Sequence, residues 1–262
     1  MAALSIEFLG TGTSQGVPVI ACDCAVCRSS DPRDRRLRTS ALVRVGEVNL
    51  LIDAGPDLRQ QMLRSRVRRL DAVLLTHEHM DHVAGIDDLR SFNFSQKRAM
   101  DIHANAATIA AVKRTFHYAF AKDPYPGTPV LNLHQIGMGP FEIAGIPITP
   151  IEVLHHKLPV LGFRIGALAY ITDAKSIPEK ELQKLHGLDV LVLNALRQEE
   201  HISHFNLAEA IAMVEKLRPR RAFFTHISHL MGFHAGVMEQ LPPGIELACD
   251  GLVVNVEGSG LK

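Results

Sequence analysis

The sequence predicts an α/β fold, a layered sandwich with helices outside two sheets, and three observations lead there. Short runs of β-branched and aliphatic residues, flanked by Gly, Pro or Asp, recur along the 262 residues. Helical periodicity appears between those runs rather than in a block of its own. Strands crowd the first quarter and return after residue 145, with few simple parallel repeats, which is the order expected of two sheets covered by separate helical crossings. No linker or composition break divides the chain, so it reads as one domain, 1–262, long enough for an ample core.

The strand-like runs fall at 4–9, 41–45, 48–53, 72–76, 147–153, 163–165, 168–172, 189–193, 221–225 and 252–256. Ile245–Cys249 also reads as buried strand. Helical stretches cover 56–66, 82–92, 105–119, 178–186, 206–217 and 234–240, with Pro56 and Pro178 at early helical positions where the missing N–H costs nothing. Residues 92–135 carry Phe92, Phe94, Phe116, Tyr118, Phe120 and Tyr125, and are expected either to be core or to overhang a site as a cap.

Lys plus Arg and Asp plus Glu each number 28, so there is no global field to draw nucleic acid nonspecifically. Arg33, Arg35, Arg36 and Arg38, then Arg64, Arg66, Arg68 and Arg69, form local basic runs; solvated faces are the plain reading, attraction of a phosphate-bearing ligand the alternative. No run approaches the ~18 apolar residues of a membrane span, and no signal-like start is present, so a soluble, cytoplasmic protein is expected.

The chemistry concentrates in His77-Glu78-His79-Met80-Asp81-His82, directly after the apolar run Ala72-Val73-Leu74-Leu75. Histidines two apart in an extended segment can converge on one ion, while an adjacent Asp-His pair entering a helix reaches a second. An incidental polar loop would crowd imidazoles that repel when protonated and lose solvation when buried. Three later strands end in ligand types: His155 and His156, Asp173, and His226. Alone, Asp173 would read as a helix cap. Cys22, Cys24 and Cys27 sit together, and in a reducing compartment such crowding points to metal thiolates rather than disulfides, with small buried residues or a redox pair as the alternative.

With these residues the chain resembles the metallo-β-lactamase superfamily, whose His-x-His-x-Asp-His signature His77, His79, Asp81 and His82 match in full. The resemblance runs from Gly10-Thr11-Gly12-Thr13 and Leu51-Ile52-Asp53-Ala54-Gly55 to Asp250-Gly251. It implies a four-layer αβ/βα sandwich with the metals at one edge between the sheets. His77, His79 and His155 would hold one metal, Asp81, His82 and His226 the other, and Asp173 would bridge them. His155 and His156 compete for the third position, and His155 is favoured for its place nearest the strand end. The chain is similar, more narrowly, to the phosphoribosyl 1,2-cyclic phosphate phosphodiesterases of carbon–phosphorus lyase pathways, which share the Cys-x-Cys-x-x-Cys cluster and a His three residues past the last active-site His. Cys22, Cys24, Cys27 and His229 would then form a closed structural zinc site. His204 matches the position of that family's general acid, with His201 as alternate.

The resemblance implies two catalytic divalent metals, zinc or manganese, and hydrolysis of a small phosphodiester, a cyclic ribose or nucleotide one, by a metal-bridging hydroxide, with Asp81 and His204 as the catalytic residues. A tRNA 3′-processing nuclease of the same superfamily is the leading rival; against it stand the neutral charge and the lack of a long Gly/Pro-rich arm. A non-catalytic metal-binding homologue is the alternative of a different class. No membrane partner is expected, nucleic acid is disfavoured, and the oligomeric state, homodimer included, stays open.

Overall fold

The computed structural model describes residues 2–258. Its strands form two seven-stranded mixed sheets. In the first, β14 (Val253–Val256), β1 (Leu4–Gly10), β2 (Ser40–Val45) and β3 (Val48–Ile52) run antiparallel to their neighbours. The sheet then continues in parallel through β4 (Ala72–Leu74), β5 (Met100–Ala104) and β6 (Leu131–Gln135). The second repeats the plan. β7 (Phe141–Ile143), β8 (Ile146–His155), β9 (Leu158–Ile165) and β10 (Leu168–Tyr170) are antiparallel, and β10 passes in parallel to β11 (Val190–Asn194), β12 (Arg221–Thr225) and β13 (Ile245–Leu247).

Both faces of each sheet are covered, which is why the strands read as unbroken apolar runs rather than as alternations. Side chains still alternate. Leu50 and Ile52 of β3 join Ile6, Phe8, Phe163, Tyr170, Val192 and Phe223 in the core between the sheets, while Leu51 turns outward. Outside the first sheet lie α1 (Leu58–Ser65), α2 (Met80–Val83), α3 (Arg90–Gln96) and α4 (Ala106–Thr115), packed over Leu42, Leu51, Val73 and Ile102. Outside the second, α5 (Glu179–Leu182), α6 (Leu207–Leu217) and α7 (His234–Met238) cover Leu191, Leu193 and Phe224. The four layers are those expected.

Differences lie at edges and ends. The expected helix 82–92 is divided into α2, a 3-10 turn and α3, and β5, β6 and β7 escaped sequence reading. Most of the 92–135 segment belongs to the first two layers as α3, β5, α4 and β6, leaving the stretch around the exposed Tyr118 and Tyr125 outside strand and α-helix. Cys249 lies two residues beyond β13, half-buried. Part of the basic runs is taken up by partners within the chain: Arg36 is buried and donates to Thr11 and the Ala248 carbonyl, while Arg38 pairs with Asp57 and Arg64 with Asp250. No described helix is long and apolar enough to cross a membrane.

Candidate metal centre

Four strands, β4, β8, β10 and β12, lead ligand-type side chains to one edge between the sheets. Past the end of β4, Thr76 and His77 are fully buried, His79 is exposed, and α2 begins at Met80, so that Asp81 and His82 turn back towards the sheet. That return needs close backbone contact: a Cβ on Gly55 would stand 2.0 Å from the Asp81 carbonyl oxygen, and one on Gly85 2.0 Å from that of Gly55. His155 ends β8, Asp173 follows β10, and His226 is the first residue past β12.

The rings of His77, His79 and His155 form one cluster, with centroids 4.6 Å apart for His77 and His79, 5.3 Å for His79 and His155, and 6.0 Å for His77 and His155. Beside it, the Asp173 carboxylate lies between two histidines, Oδ2 being 3.3 Å from His82 Nε2 and Oδ1 3.2 Å from His226 Nε2. Asp81 Oδ2 is 3.2 Å from His82 Nε2 and 3.7 Å from His226 Nε2. His156, by contrast, is exposed in the turn after β8 with φ +55°.

The far sides of the His82 and His155 rings are held by the protein. His82 Nδ1 donates to Asp53 Oδ2 at 2.7 Å, and Asp53 also accepts from the Thr76 amide and hydroxyl at 2.8 and 2.9 Å. His155 Nδ1 donates to the Ser203 carbonyl at 2.9 Å. Asn194, at the end of β11, accepts from the Ala174 amide at 2.7 Å and donates to the Ala174 carbonyl at 2.9 Å, which pins the turn carrying Asp173. Asp53 and Asn194 were not singled out as site residues, although each is a polar residue that closes an apolar strand, the signal that exposed Asp173.

The donor set fits divalent cations. The buried Nε2 atoms of His77, His82 and His226 have no hydrogen-bond partner in the protein, a costly state unless something else engages them. Burial pushes the Asp81 and Asp173 carboxyls up, but the surrounding histidines outweigh it and hold both well below the usual carboxylate range. Burial drives His77 the other way, well below its ordinary value, so the imidazole is neutral. Those are metal-binding states, whereas at His82 burial is outweighed by the Asp173 and Asp53 carboxylates, which raise the imidazole well above its ordinary value, so an ion arriving there must displace its proton.

Farther out, the thiols of Cys22, Cys24 and Cys27 lie 3.4, 3.3 and 3.5 Å from His229 Nδ1. A tetrahedral ion with ordinary Zn–S and Zn–N bonds places sulfur and nitrogen roughly 3.5 Å apart, so the cluster has the size of a zinc site. The Cys27 and Val19 amides donate to Cys24 and Cys27 sulfur, and the first of these, with His229 next, lowers the Cys24 thiol to about 6. The cluster joins the loop before β2 to the 3-10 turn His229–Met231, just past His226.

A family model described as a beta-lactamase superfamily domain matches residues 48–227, which span the histidine motif, Asp173 and His226. The chain belongs to the metallo-β-lactamase superfamily. Hydrolases of this fold work with divalent metals, and the expected sandwich is the one observed. The chain is similar, at 40% identity and a TM-score of 0.92, to the crystal structure of a new diphosphatase from the PhnP family, with 97% of this chain and 98% of that one covered. It is 40% identical over 257 residues to an octanoyltransferase of Porphyromonas gingivalis; 97% of this chain is covered but it spans only 52% of that protein. A ribonuclease Z of a Bradyrhizobium species is 33% identical over 130 residues, 48% of this chain and 38% of that protein.

Proposed function

We propose that this protein is a dinuclear metal-dependent phosphodiesterase acting on a small substrate, a cyclic ribose or nucleotide phosphodiester. The observation that carries the reading is the Asp173 carboxylate set between His82 and His226, with Asp81 across from it and the cluster of His77, His79 and His155 alongside. On this reading His77, His79 and His155 would hold one ion and Asp81, His82 and His226 the other, with Asp173 available to both. His155 takes this role over His156 because its ring joins the cluster while His156 stands in solvent. When bound, two such ions supply Lewis-acid charge and acidify water beside the phosphorus. Two carboxylates among imidazoles make an oxygen-rich pair of sites, suited to hard, phosphate-binding ions.

The chain's own groups do the rest. Asp53 and Ser203 fix the orientation of His82 and His155 through their Nδ1 atoms, leaving Nε2 of each for the metal side. His204 is buried, and its Nε2 lies 3.1 Å from Asp173 Oδ1, at the rim of the bridging carboxylate. From there it gives its Nε2 proton to the oxygen that leaves phosphorus, so a cyclic phosphodiester opens to a phosphomonoester and a free hydroxyl. Burial pushes His204 down to about 4, with the Asp173 hydrogen bond acting in the opposite direction. Near neutral pH the ring is therefore mostly unprotonated, and the acid form it donates from is a minor one. The Cys22, Cys24, Cys27 and His229 cluster would hold a third, structural zinc.

The 40% identity to a diphosphatase over nearly the whole of both chains favours a second reading, hydrolysis of a diphosphate linkage by the same groups. The likeness to ribonuclease Z covers under half of this chain and gives a nuclease less support. The deciding experiment measures metal content and turnover of bis-p-nitrophenyl phosphate, a five-membered cyclic ribose phosphate, a dinucleoside diphosphate and a precursor tRNA, before and after chelation. Close to three metals per chain with chelator-sensitive opening of the cyclic substrate is expected. Preferred cleavage of the diphosphate would replace the first reading with the second, and turnover of the RNA alone would overturn both.

A further inference from the structure

The loop between β11 and α6 carries a small polar cluster that the proposed chemistry leaves unexplained. Its ends are closed by backbone hydrogen bonds from Leu196 to Phe205 at 2.9 Å and from Phe205 to Ala174 at 2.7 Å, and α6 starts directly after it on the capping box of Asn206 and Glu209. The backbone at His204 is thus anchored, and what remains to be set is the orientation of its ring. Nδ1 of that ring lies 3.0 Å from Ser203 Oγ and 3.2 Å from His201 Nδ1, and Ser203 Oγ is 3.2 Å from the same His201 nitrogen.

Hydrogen bookkeeping narrows the roles. The Ser203 amide donates to His201 Nδ1 at 3.3 Å, so that nitrogen offers a lone pair. His204 Nε2 faces a carboxylate oxygen and carries hydrogen. Between His204 Nδ1 and His201 Nδ1 stands a hydroxyl that accepts from one side or donates to the other by turning about its own bond. Nδ1 therefore has a partner whether or not it bears hydrogen, and the ring has no need to flip to find one.

We propose that Ser203 and His201 are positioning residues for His204: they grip its Nδ1 so that Nε2 is the nitrogen presented to the departing oxygen. This rests on the phosphodiesterase reading above. When Nε2 gives its proton to the leaving oxygen, the hydrogen on Nδ1 stays shared with Ser203 Oγ and His201 Nδ1, and the ring is left neutral. Ser203 acts on two sides, because its carbonyl holds His155 while its hydroxyl holds His204. Side-chain substitutions alter only the second of these.

The experiment compares wild type, Ser203→Ala, Ser203→Thr and His201→Phe, all zinc-loaded. Removing the hydroxyl forfeits part of the 10²–10⁴-fold usually gained from a positioned acid, so Ser203→Ala is expected to slow the cyclic ribose phosphate about tenfold more than bis-p-nitrophenyl phosphate. The nitrophenolate needs little proton assistance. The loss should fall in kcat rather than KM, metal content should hold, and Ser203→Thr should restore most of the ratio. Equal slowing of both substrates, or no rescue by threonine, would overturn the proposal. ¹⁵N-histidine NMR reads the ring directly, with His204→Gln assigning the resonance. One tautomer is expected in wild type and a mixture in Ser203→Ala and His201→Phe; unchanged populations would refute the positioning role. Should wild type open neither substrate, the phosphodiesterase reading falls by itself, and the NMR comparison still decides whether Ser203 and His201 set the ring.

Discussion

Replacing Asp53 by Asn tests the metal centre through a residue that would touch no metal. In the native site a fully buried carboxylate accepts from the Thr76 amide at 2.8 Å, the Thr76 hydroxyl at 2.9 Å and His82 Nδ1 at 2.7 Å. An asparagine oxygen can keep the Thr76 amide, so the strand end should hold. Its NH₂ then faces His82 Nδ1, and two N–H groups cannot meet at that distance. His82 must move its hydrogen to Nε2, the atom 3.2 Å from Asp81 and 3.3 Å from Asp173, which removes the lone pair a metal needs. Loss of such an orienting partner typically weakens metal binding 10–100-fold, about 1.4–2.8 kcal/mol. Asp53→Ala differs in kind, since it leaves the Thr76 amide and His82 Nδ1 unpaired in a dry site at about 1–3 kcal/mol each and lowers fold stability as well. Competition against a chromogenic chelator gives the affinity of the paired sites, and thermal melting of the apo proteins separates the two variants. Binding of both ions by Asp53→Asn within twofold of wild type would refute the argument that His82 ligates through Nε2 in a tautomer set by Asp53.

Cys24→Ala should lower metal content by one per chain and reduce the melting temperature, because it opens the link between the N-terminal loop and His229; unchanged stoichiometry by elemental analysis would remove the third zinc. Gly55→Ala should cost about 1–3 kcal/mol in urea unfolding and weaken metal uptake, since the added methyl must displace the Asp81 carbonyl; a wild-type unfolding midpoint would show that the backbone yields freely there. Acid should destabilise the fold through His234, which burial, then the Arg36 charge, lowers to about 4 from the ordinary 6.5. Its folded-state value lies below its unfolded one, so the contribution is complete above pH 6.5 and is lost as pH falls from 6.5 towards 4. His234→Gln keeps an acceptor for Arg36 and should lose less stability between pH 7 and pH 5; an equal loss in urea titrations would place the acid sensitivity elsewhere.

How much of this was legible in the sequence follows from the range of each signal. The paired sheets and the histidine-rich edge show because β1 to β4 and β8 to β12 are buried on both faces, and two-faced burial writes itself as apolar runs ending in one polar residue. β5 (Met-Asp-Ile-His-Ala) and β6 (Leu-Asn-Leu-His-Gln) alternate instead, because one face packs under α4 while the other carries Asp101, His103, Asn132 and His134 at a more open edge. Five residues of alternation are too few to separate a strand from a loop, and only pairing along β4 makes them strands. Between His155 and His156 the sequence favours His155 only by its place nearest the strand end; the β8–β9 hairpin adds the physical difference, putting one ring beside His79 and the other in solvent. Asp53 lay in plain view at the end of β3 but had no neighbour in sequence to mark it, since its partners come from 23 and 29 residues away.

The backbone at this edge is strained in a particular way. Asp53, Asp173 and His226 have φ of 62°, 56° and 57°, left-handed values that cost a residue with a Cβ about 1–2 kcal/mol each. Elsewhere, left-handed Arg66, Lys97 and Arg218 close helices, where such geometry is the usual way to satisfy the last carbonyls. The three residues follow strands instead, and glycine would relieve them, yet each is a side chain the proposed centre would use. The left-handed step turns the chain sharply off the sheet edge and aims carboxylate or imidazole into the gap between the layers, so the strain is the cost of convergence. Metal binding would offset it, because an ion present at a thousand times its Kd stabilises the folded state by about 4 kcal/mol. The metal-free protein should therefore melt well below the loaded one, with the difference retained in Cys24→Ala, whose paired sites are intact. Chelated and loaded proteins melting within a degree of each other would mean that the edge is held by its own hydrogen bonds, and that metal merely fills a site already paid for by Asp53, Asn194 and Ser203.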